Sequence, residues 1–311
     1  MKSENLAFVF PGQGSQKVGM LSDYYQSSPE FVATFERASS VLGYDLWDLI
    51  QSGPDEKLNL TENTQPALLA SSVAIWNVWQ NKVGAAPSVL AGHSLGEWSA
   101  LVCAGVLSLE DAVKLVQLRG RYMQEAVPVG QGGMAAIIGL DDQKIIDICA
   151  ESSAQGVVSA VNFNAPGQVV IAGAKAAVET ASEACKAAGA KRALPLPVSA
   201  PFHTLMMKPA AERLAVDMAD IEFGAPLIPV VHNVTAATES NAEAIKGLMI
   251  EQIYSPVRWV ECAQALAAAG TSTAVECGPG KVLSGLMRRI DKNIAMVALD
   301  SSDSMDAALA E

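Results

Sequence analysis

The chain is short of positive charge, of histidine and of paired cysteines, and no apolar run in it approaches membrane length. Against 33 Asp and Glu stand 21 Lys and Arg, a net charge of −12 over 311 residues. Binding nucleic acid in general needs a basic surplus to displace counterions from phosphates, so that class is excluded. The five cysteines, at 103, 149, 185, 262 and 277, lie far apart with no Cys-x-x-Cys pair. They read as reduced core thiols, not as a disulfide framework or a zinc site. The three histidines, His93, His203 and His232, are equally scattered, and no metal is expected. A bilayer span needs about 20 apolar residues, and none is present. The opening run MKSENLAFVF meets Pro11 and Gly12 too early for a signal peptide. The expectation is a cytoplasmic protein without membrane contact. Half of the residues are hydrophobic and only 17% charged, which suits an ordered chain with a substantial core.

What is present alternates. An apolar run at 6–10 ends at Pro-Gly and reads as a buried strand. Helical patterns cover 30–42 and 67–82, and a second apolar strand at 89–91 runs through Gly92 into a small-residue helix over 95–104. Such alternation predicts a mainly parallel sheet covered by helices. The middle differs: strand 133–139, helix 141–151, strands 157–162 and 168–173 about an Asn-Ala-Pro-Gly turn, helix 175–188 and strand 192–196. The order βαββαβ is the ferredoxin-like arrangement. It predicts a small subdomain at 128–198, inserted into a large one made of 1–127 and 199–311, with the exit LPLPVSAP as hinge. Beyond it the pattern predicts helices over 206–219, 242–254, 256–269 and 281–290, and strands at 228–233, 273–276 and 295–299.

Gly92-His-Ser94-Leu95-Gly96 is a G-x-S-x-G element between a strand and a helix, the context of a nucleophile elbow. There the Leu95 N–H would face a developing oxyanion. Serine needs a base. His203 is the better candidate, because it follows the hinge where a cleft would close over Ser94. His93 sits on the tight turn and should point elsewhere, and His232 in a strand reads as a satisfied core histidine. No carboxylate between Ser94 and His203 follows an outer-domain strand in the way a hydrolase triad would place its acid. The expectation is therefore a Ser–His dyad whose imidazole donates to a backbone carbonyl.

On the helix from 109 to 127, Arg119 shares its side of the wheel with Ala112, Leu115, Val116, Tyr122 and Met123, whereas Arg121 falls on the polar face. An inward guanidinium needs an anionic partner. That partner is either a structural carboxylate or the free carboxylate of a substrate held by a bidentate fork. The loop Pro11–Gln16 has glycines that let the Gln13 N–H approach a ligand, but it lacks the Gly-Lys-Ser/Thr of a phosphate loop.

Five segments carry a resemblance: FPGQGSQ at 10–16, GHSLGE at 92–97, LRGRYMQEAVP at 118–128, VNFNAPGQVVIAG at 161–173 and ECGPGKVL at 276–283. With these the chain resembles, essentially end to end, the bacterial malonyl-CoA:acyl-carrier-protein transacylases. The resemblance implies an α/β fold, an α/β-hydrolase-like large subdomain with an inserted ferredoxin-like small one. It also implies Ser94 as nucleophile, His203 as base, an oxyanion hole from the amides of Gln13 and Leu95, and Arg119 on the malonyl carboxylate. Gln252 matches the position whose main-chain carbonyl orients the histidine, Gln65 a glutamine at the acyl pocket, and Phe202 the residue that related acyltransferases pair with malonyl.

The implied reaction is ping-pong transfer of malonyl from malonyl-CoA to the phosphopantetheine thiol of acyl carrier protein. One thioester replaces another, so no cofactor is implied. A serine thioesterase or hydrolase on the same elbow is the alternative, disfavoured by the missing acid and the inward arginine. Acyl carrier proteins are acidic, and the basic pairs Lys191-Arg192 and Arg288-Arg289 are the expected docking points beside the active-site mouth.

Overall fold

The computed structural model describes residues 5–198 and 200–310. Residues 1–4, Ser199 in the expected hinge, and Glu311 lie outside the described residues. Two sheets organise the chain. The first has five parallel strands, β1 (Leu6–Phe10), β2 (Val89–Gly92), β7 (Val230–Val231), β8 (Thr273–Glu276) and β9 (Ala295–Ala298), in the order β7-β2-β1-β8-β9. β1 and β2 are buried at every position, which is why they read as unbroken apolar runs and not as alternating ones.

The second sheet is antiparallel and comes from the middle of the chain: β3 (Gly132–Ile138), β4 (Val158–Ala165), β5 (Gln168–Ala174) and β6 (Arg192–Pro195), in the order β4-β5-β3-β6. With the helices Asp142–Ser152 and Lys175–Ala187 this is the expected ferredoxin-like order. The period of two in β5 separates the cores. Val169 and Ile171 pack with Ile145 and Cys185 under those helices, while Val170 and Ala172 join the main core. β4 also hydrogen-bonds to the segment after the last turn of a large-sheet helix, Val257 N to Val161 O at 2.8 Å and Phe163 N to Val257 O at 3.0 Å. The small sheet is thereby fastened against the large one.

Element edges depart from the sequence reading where proline or capping intervenes. The helix expected from 67 begins at Thr61 and runs to Asn81 with Pro66 inside it. β7 holds two residues, not six, and Pro229 beside it contributes only a carbonyl, to Leu90 N at 2.8 Å. The helix expected over 242–254 ends at Glu251, and the next one starts only at Trp259, so that Gln252 is a helix C-cap. A final helix, Ser302–Ala310, has no counterpart in the sequence reading. Among the described residues no helix is long and apolar enough to cross a membrane, and all five cysteines are free.

Candidate active site

The carboxyl ends of β1, β2 and β7 meet at one edge of the parallel sheet, where crevices in such folds lie. Three glycines lock the loops there. A Cβ on Gly96 would stand 2.0 Å from Phe10 O, one on Gly92 2.0 Å from the Gly96 carbonyl, and one on Gly12 2.5 Å from His93 O. The loop after β1, with Gln13, is therefore pressed onto the elbow after β2. Ser94 caps the helix Leu95–Cys103 with φ 52° and ψ −108°, and makes no side-chain cap bond. Its hydroxyl stays free for other partners.

Those partners are His203 and Arg119. Ser94 Oγ lies 2.8 Å from His203 Nε2, and Arg119 Nη2 donates to it over 3.3 Å. His203, only 4% exposed, also has a positive φ, 64°. Both residues of the dyad thus sit in a backbone region that costs about 1–3 kcal/mol per residue and persists where surrounding structure imposes it. His203 Nδ1 lies 2.8 Å from the main-chain carbonyl of Gln252. A carbonyl only accepts, so Nδ1 carries the proton and Nε2 turns its lone pair to the serine. The carbonyl is available because Gln252 ends its helix, where no intrahelical donor remains for it. Burial, then the neighbouring Arg119 charge, pushes the His203 pKa down from 6.5 to about 3. The imidazole is a neutral base.

Arg119 is 1% exposed in the middle of the helix Leu109–Glu125. Its partners are neutral: Nη1 donates to Gln65 Oε1 at 2.8 Å, and Nη2 donates to Gln252 Oε1 at 3.0 Å. Among the described residues no carboxylate lies within ion-pair distance of it, and Nε has no partner. Of the two partners the sequence allowed, the structural carboxylate in direct contact is absent. Burial lowers the Arg119 pKa to about 10, still far above neutrality.

Gln13, Gln65, Ser94, Leu95, Arg119, Phe202 and His203 all line one cavity of about 120 Å³. Met134, Asn162, Leu196 and Val198, from the small sheet and its exit, form the opposite wall. His93 is among the residues that line this cavity, and its side chain points away from Ser94 as expected. Its Nε2 is tied to Asn164 Oδ1 at 2.7 Å and its ring leans on Trp259, so it does not serve Ser94. His232 is buried as expected, with Nδ1 2.7 Å from Glu97 Oε1, but its Nε2 has no partner. Lys191, Arg192, Arg288 and Arg289 are exposed and do not line the cavity. Arg289 donates to Gln168 at the start of β5, and Arg288 lines a shallow surface hollow with Lys281.

Three contributions escape a reading of motifs. Asn233 accepts from Ser94 N at 2.7 Å and donates to Gly92 O at 2.7 Å, which pins the elbow from β7. The Gln252 side chain donates to Ser94 O at 3.0 Å while its carbonyl end receives Arg119. Glu97 sits fully buried beneath both. One signal for Glu97 was available: it is the only charge in LGEWSALVC, and a lone charge in an apolar helix requires partners.

Comparison with known proteins decides the family. Residues 7–301 match the model of the acyl transferase domain. The malonyl CoA-acyl carrier protein transacylase of Escherichia coli strain K12 is 58% identical over 303 residues, 97% of this chain and 98% of that one. The chain belongs to this acyltransferase family. The Bacillus subtilis (strain 168) protein of the same name is 45% identical over 98% of this chain and 96% of its own length. A solved acyl carrier protein S-malonyltransferase from Vibrio cholerae superposes with a TM-score of 0.96 at 58% identity, covering 97% of this chain and 99% of that one. A malonyl-transacylase solved in complex with its type II PKS acyl-carrier protein superposes at 0.97 with 56% identity, over 98% and 99%.

Proposed function

We propose that this acyltransferase moves malonyl from malonyl-CoA to the phosphopantetheine thiol of acyl carrier protein through a malonyl-Ser94 intermediate, in the cytoplasm and in supply of fatty acid synthesis. The observation that carries the reading is Arg119, a buried guanidinium near Ser94 Oγ with no carboxylate in contact. Its direct partners are neutral amides and its Nε has none, so the guanidinium keeps donors for an anion beside Ser94. Malonyl differs from acetyl by one carboxylate, the group a guanidinium fork pairs with.

The steps follow from the geometry. His203 Nε2 takes the proton as Ser94 Oγ attacks the thioester carbon. The oxyanion turns to the N–H groups of Gln13 and Leu95, the latter at the first position of its helix, where N–H groups point outward. Collapse expels the CoA thiolate, which takes the proton from His203. The carrier thiol then gives its proton to His203 and attacks the malonyl ester, and Ser94 Oγ leaves with the proton that His203 returns to it. Gln65 and Gln252 hold the guanidinium, and Phe202 closes the acyl pocket. We take 128–198 as the small subdomain over a large one of 1–127 and 199–311, and Lys191, Arg192, Arg288 and Arg289 as the docking points for an acidic carrier.

Intact-protein mass spectrometry after brief mixing with malonyl-CoA tests the scheme. The wild type gains one malonyl mass and Ser94→Ala gains none. Labelling that persists in Ser94→Ala, or maps to a cysteine, refutes the nucleophile. Release of free malonate in place of transfer to carrier protein would make the chain a hydrolase.

A further inference from the structure

The helix Leu95–Cys103 opens with Ser94-Leu-Gly-Glu97, the pattern of a capping box, in which the glutamate would reach back to the N-cap N–H. It does not. Ser94 N goes to Asn233 Oδ1, and the Glu97 carboxylate, 1% exposed, turns the other way. Its Oε2 accepts from Gln252 Nε2 at 2.6 Å and from Asn233 N at 3.1 Å, and its Oε1 meets His232 Nδ1 at 2.7 Å.

His232 Nε2 has no partner among the described residues, so Nδ1 is the ring nitrogen that carries the proton toward Glu97. Among the described residues no Lys or Arg forms an ion pair with Glu97. The cation it reaches is Arg119, across a single amide: Gln252 gives Nε2 to Glu97 and takes Arg119 Nη2 on Oε1. The attraction of Glu97 also favours the charged form of Arg119, against the effect of burial.

We propose that Glu97 is the resting counter-charge of Arg119, relayed through the Gln252 amide, and that it limits how tightly the site holds the malonyl carboxylate. The proposal rests on the reading of Arg119 as the partner of that carboxylate. With Glu97 behind it, the empty site is electrically balanced while the guanidinium keeps N–H groups free for a ligand. An arriving malonyl carboxylate adds a second negative charge, and Glu97 repels it. A transferase that must give its acyl group up again gains nothing from a deep acyl-enzyme well. Glu97 makes that well shallower.

Glu97→Gln isolates the charge. The new carbonyl can accept from Gln252 and Asn233, and the new NH2 can donate to His232 Nδ1 once the ring proton moves to Nε2, which leaves a buried N–H without an acceptor. Free malonate is the probe, read as inhibition of Ser94 acylation by acetyl-CoA. In Glu97→Gln its inhibition constant should fall roughly tenfold to twentyfold, the scale of removing one unit charge about 10 Å away at an effective dielectric near 20. The KM for malonyl-CoA should fall with it, discharge to carrier protein should slow, and the KM for acetyl-CoA should stay. Glu97→Asp, which keeps the charge, should hold malonate like the wild type. Glu97→Met supplies the uncharged state if Glu97→Gln does not fold. Unchanged or weaker malonate inhibition in the uncharged variants, or malonyl and acetyl KM values that move together, overturns the proposal. Arg119→Met binding malonate as well as the wild type would instead overturn the reading beneath it.

Discussion

Lowering the pH probes the surroundings of His203 directly. An imidazole of ordinary pKa, near 6.5, is almost wholly protonated at pH 5, and a reaction that needs the neutral base would be about thirtyfold below its plateau there. His203 is buried against Arg119, and its pKa is pushed down to about 3. At pH 5 roughly one molecule in a hundred is then protonated, and the rate should be unchanged within error. The assay is the first half-reaction alone: rapid quench of enzyme with sub-saturating acyl-CoA from pH 8 to 4.5, counting acylated Ser94 by mass. Under these conditions kcat/KM reports the free enzyme. Acetyl-CoA is the cleaner substrate, since it brings no carboxylate of its own. An acid limb with its midpoint at 6–6.5 would refute the argument. In Arg119→Met the limb should move up but stay below 6.5, because burial, the larger cause, remains. The same depression appears in stability. The unfolded chain binds a proton at this histidine below about 6.5 and the folded one does not, so the stability it supports above that pH is lost as pH falls toward 3.

Arg119→Ala should cost malonyl transfer roughly 2–5 kcal/mol by leaving the substrate carboxylate unpaired in a desolvated pocket, and acetyl transfer much less. Equal losses in the two kinetic assays would make Arg119 a purely structural residue. Charge reversal at Arg288 and Arg289 should weaken malonyl transfer to carrier protein and flatten its salt dependence, with Ser94 acylation nearly normal; a common fall in both half-reactions would put docking elsewhere. Gly96→Ala should destabilise the fold by about 3 kcal/mol or more in urea denaturation, because its Cβ would stand 2.0 Å from the backbone oxygen of Phe10. Near-normal stability would mean that the loop after β1 yields freely.

How far the sequence reached depends on whether a residue acts through local pattern or through distance. Ser94 lies in a motif whose glycines are required by a local turn, and Arg119 on a helix whose wheel already gives its direction. Both strands of the elbow pair, β1 and β2, show as apolar runs because they are buried on both faces. Asn233 and Gln252 act from 139 and 158 residues away in chain from Ser94, and nothing in their neighbours' periodicity marks them. The role of the Gln252 carbonyl was reached by likeness to a family; that of its side chain was not, since an amide's orientation is set by partners that meet only in three dimensions. The early start of the helix Thr61–Asn81 was missed for another reason. Pro66 looks like a boundary, yet buried Thr64 bonds back to Leu58 O and Leu60 O and carries the helix through.

The cavity has two walls of different origin. Ser94, Leu95, Arg119, Gln65 and Gln13 come from the parallel sheet and its helices, whereas Met134 and Asn162 come from the antiparallel sheet, with Leu196 and Val198 on its exit. The reacting groups are interlocked by close backbone packing and a shared hydrogen-bond cluster, so a change in any one disturbs the others. The residues from the small sheet and its exit are mostly apolar and pack into the main core, while the other face of that sheet covers a core of its own. A side chain exchanged on that sheet therefore alters the volume of the cavity without removing any hydrogen bond among Ser94, His203 and Arg119.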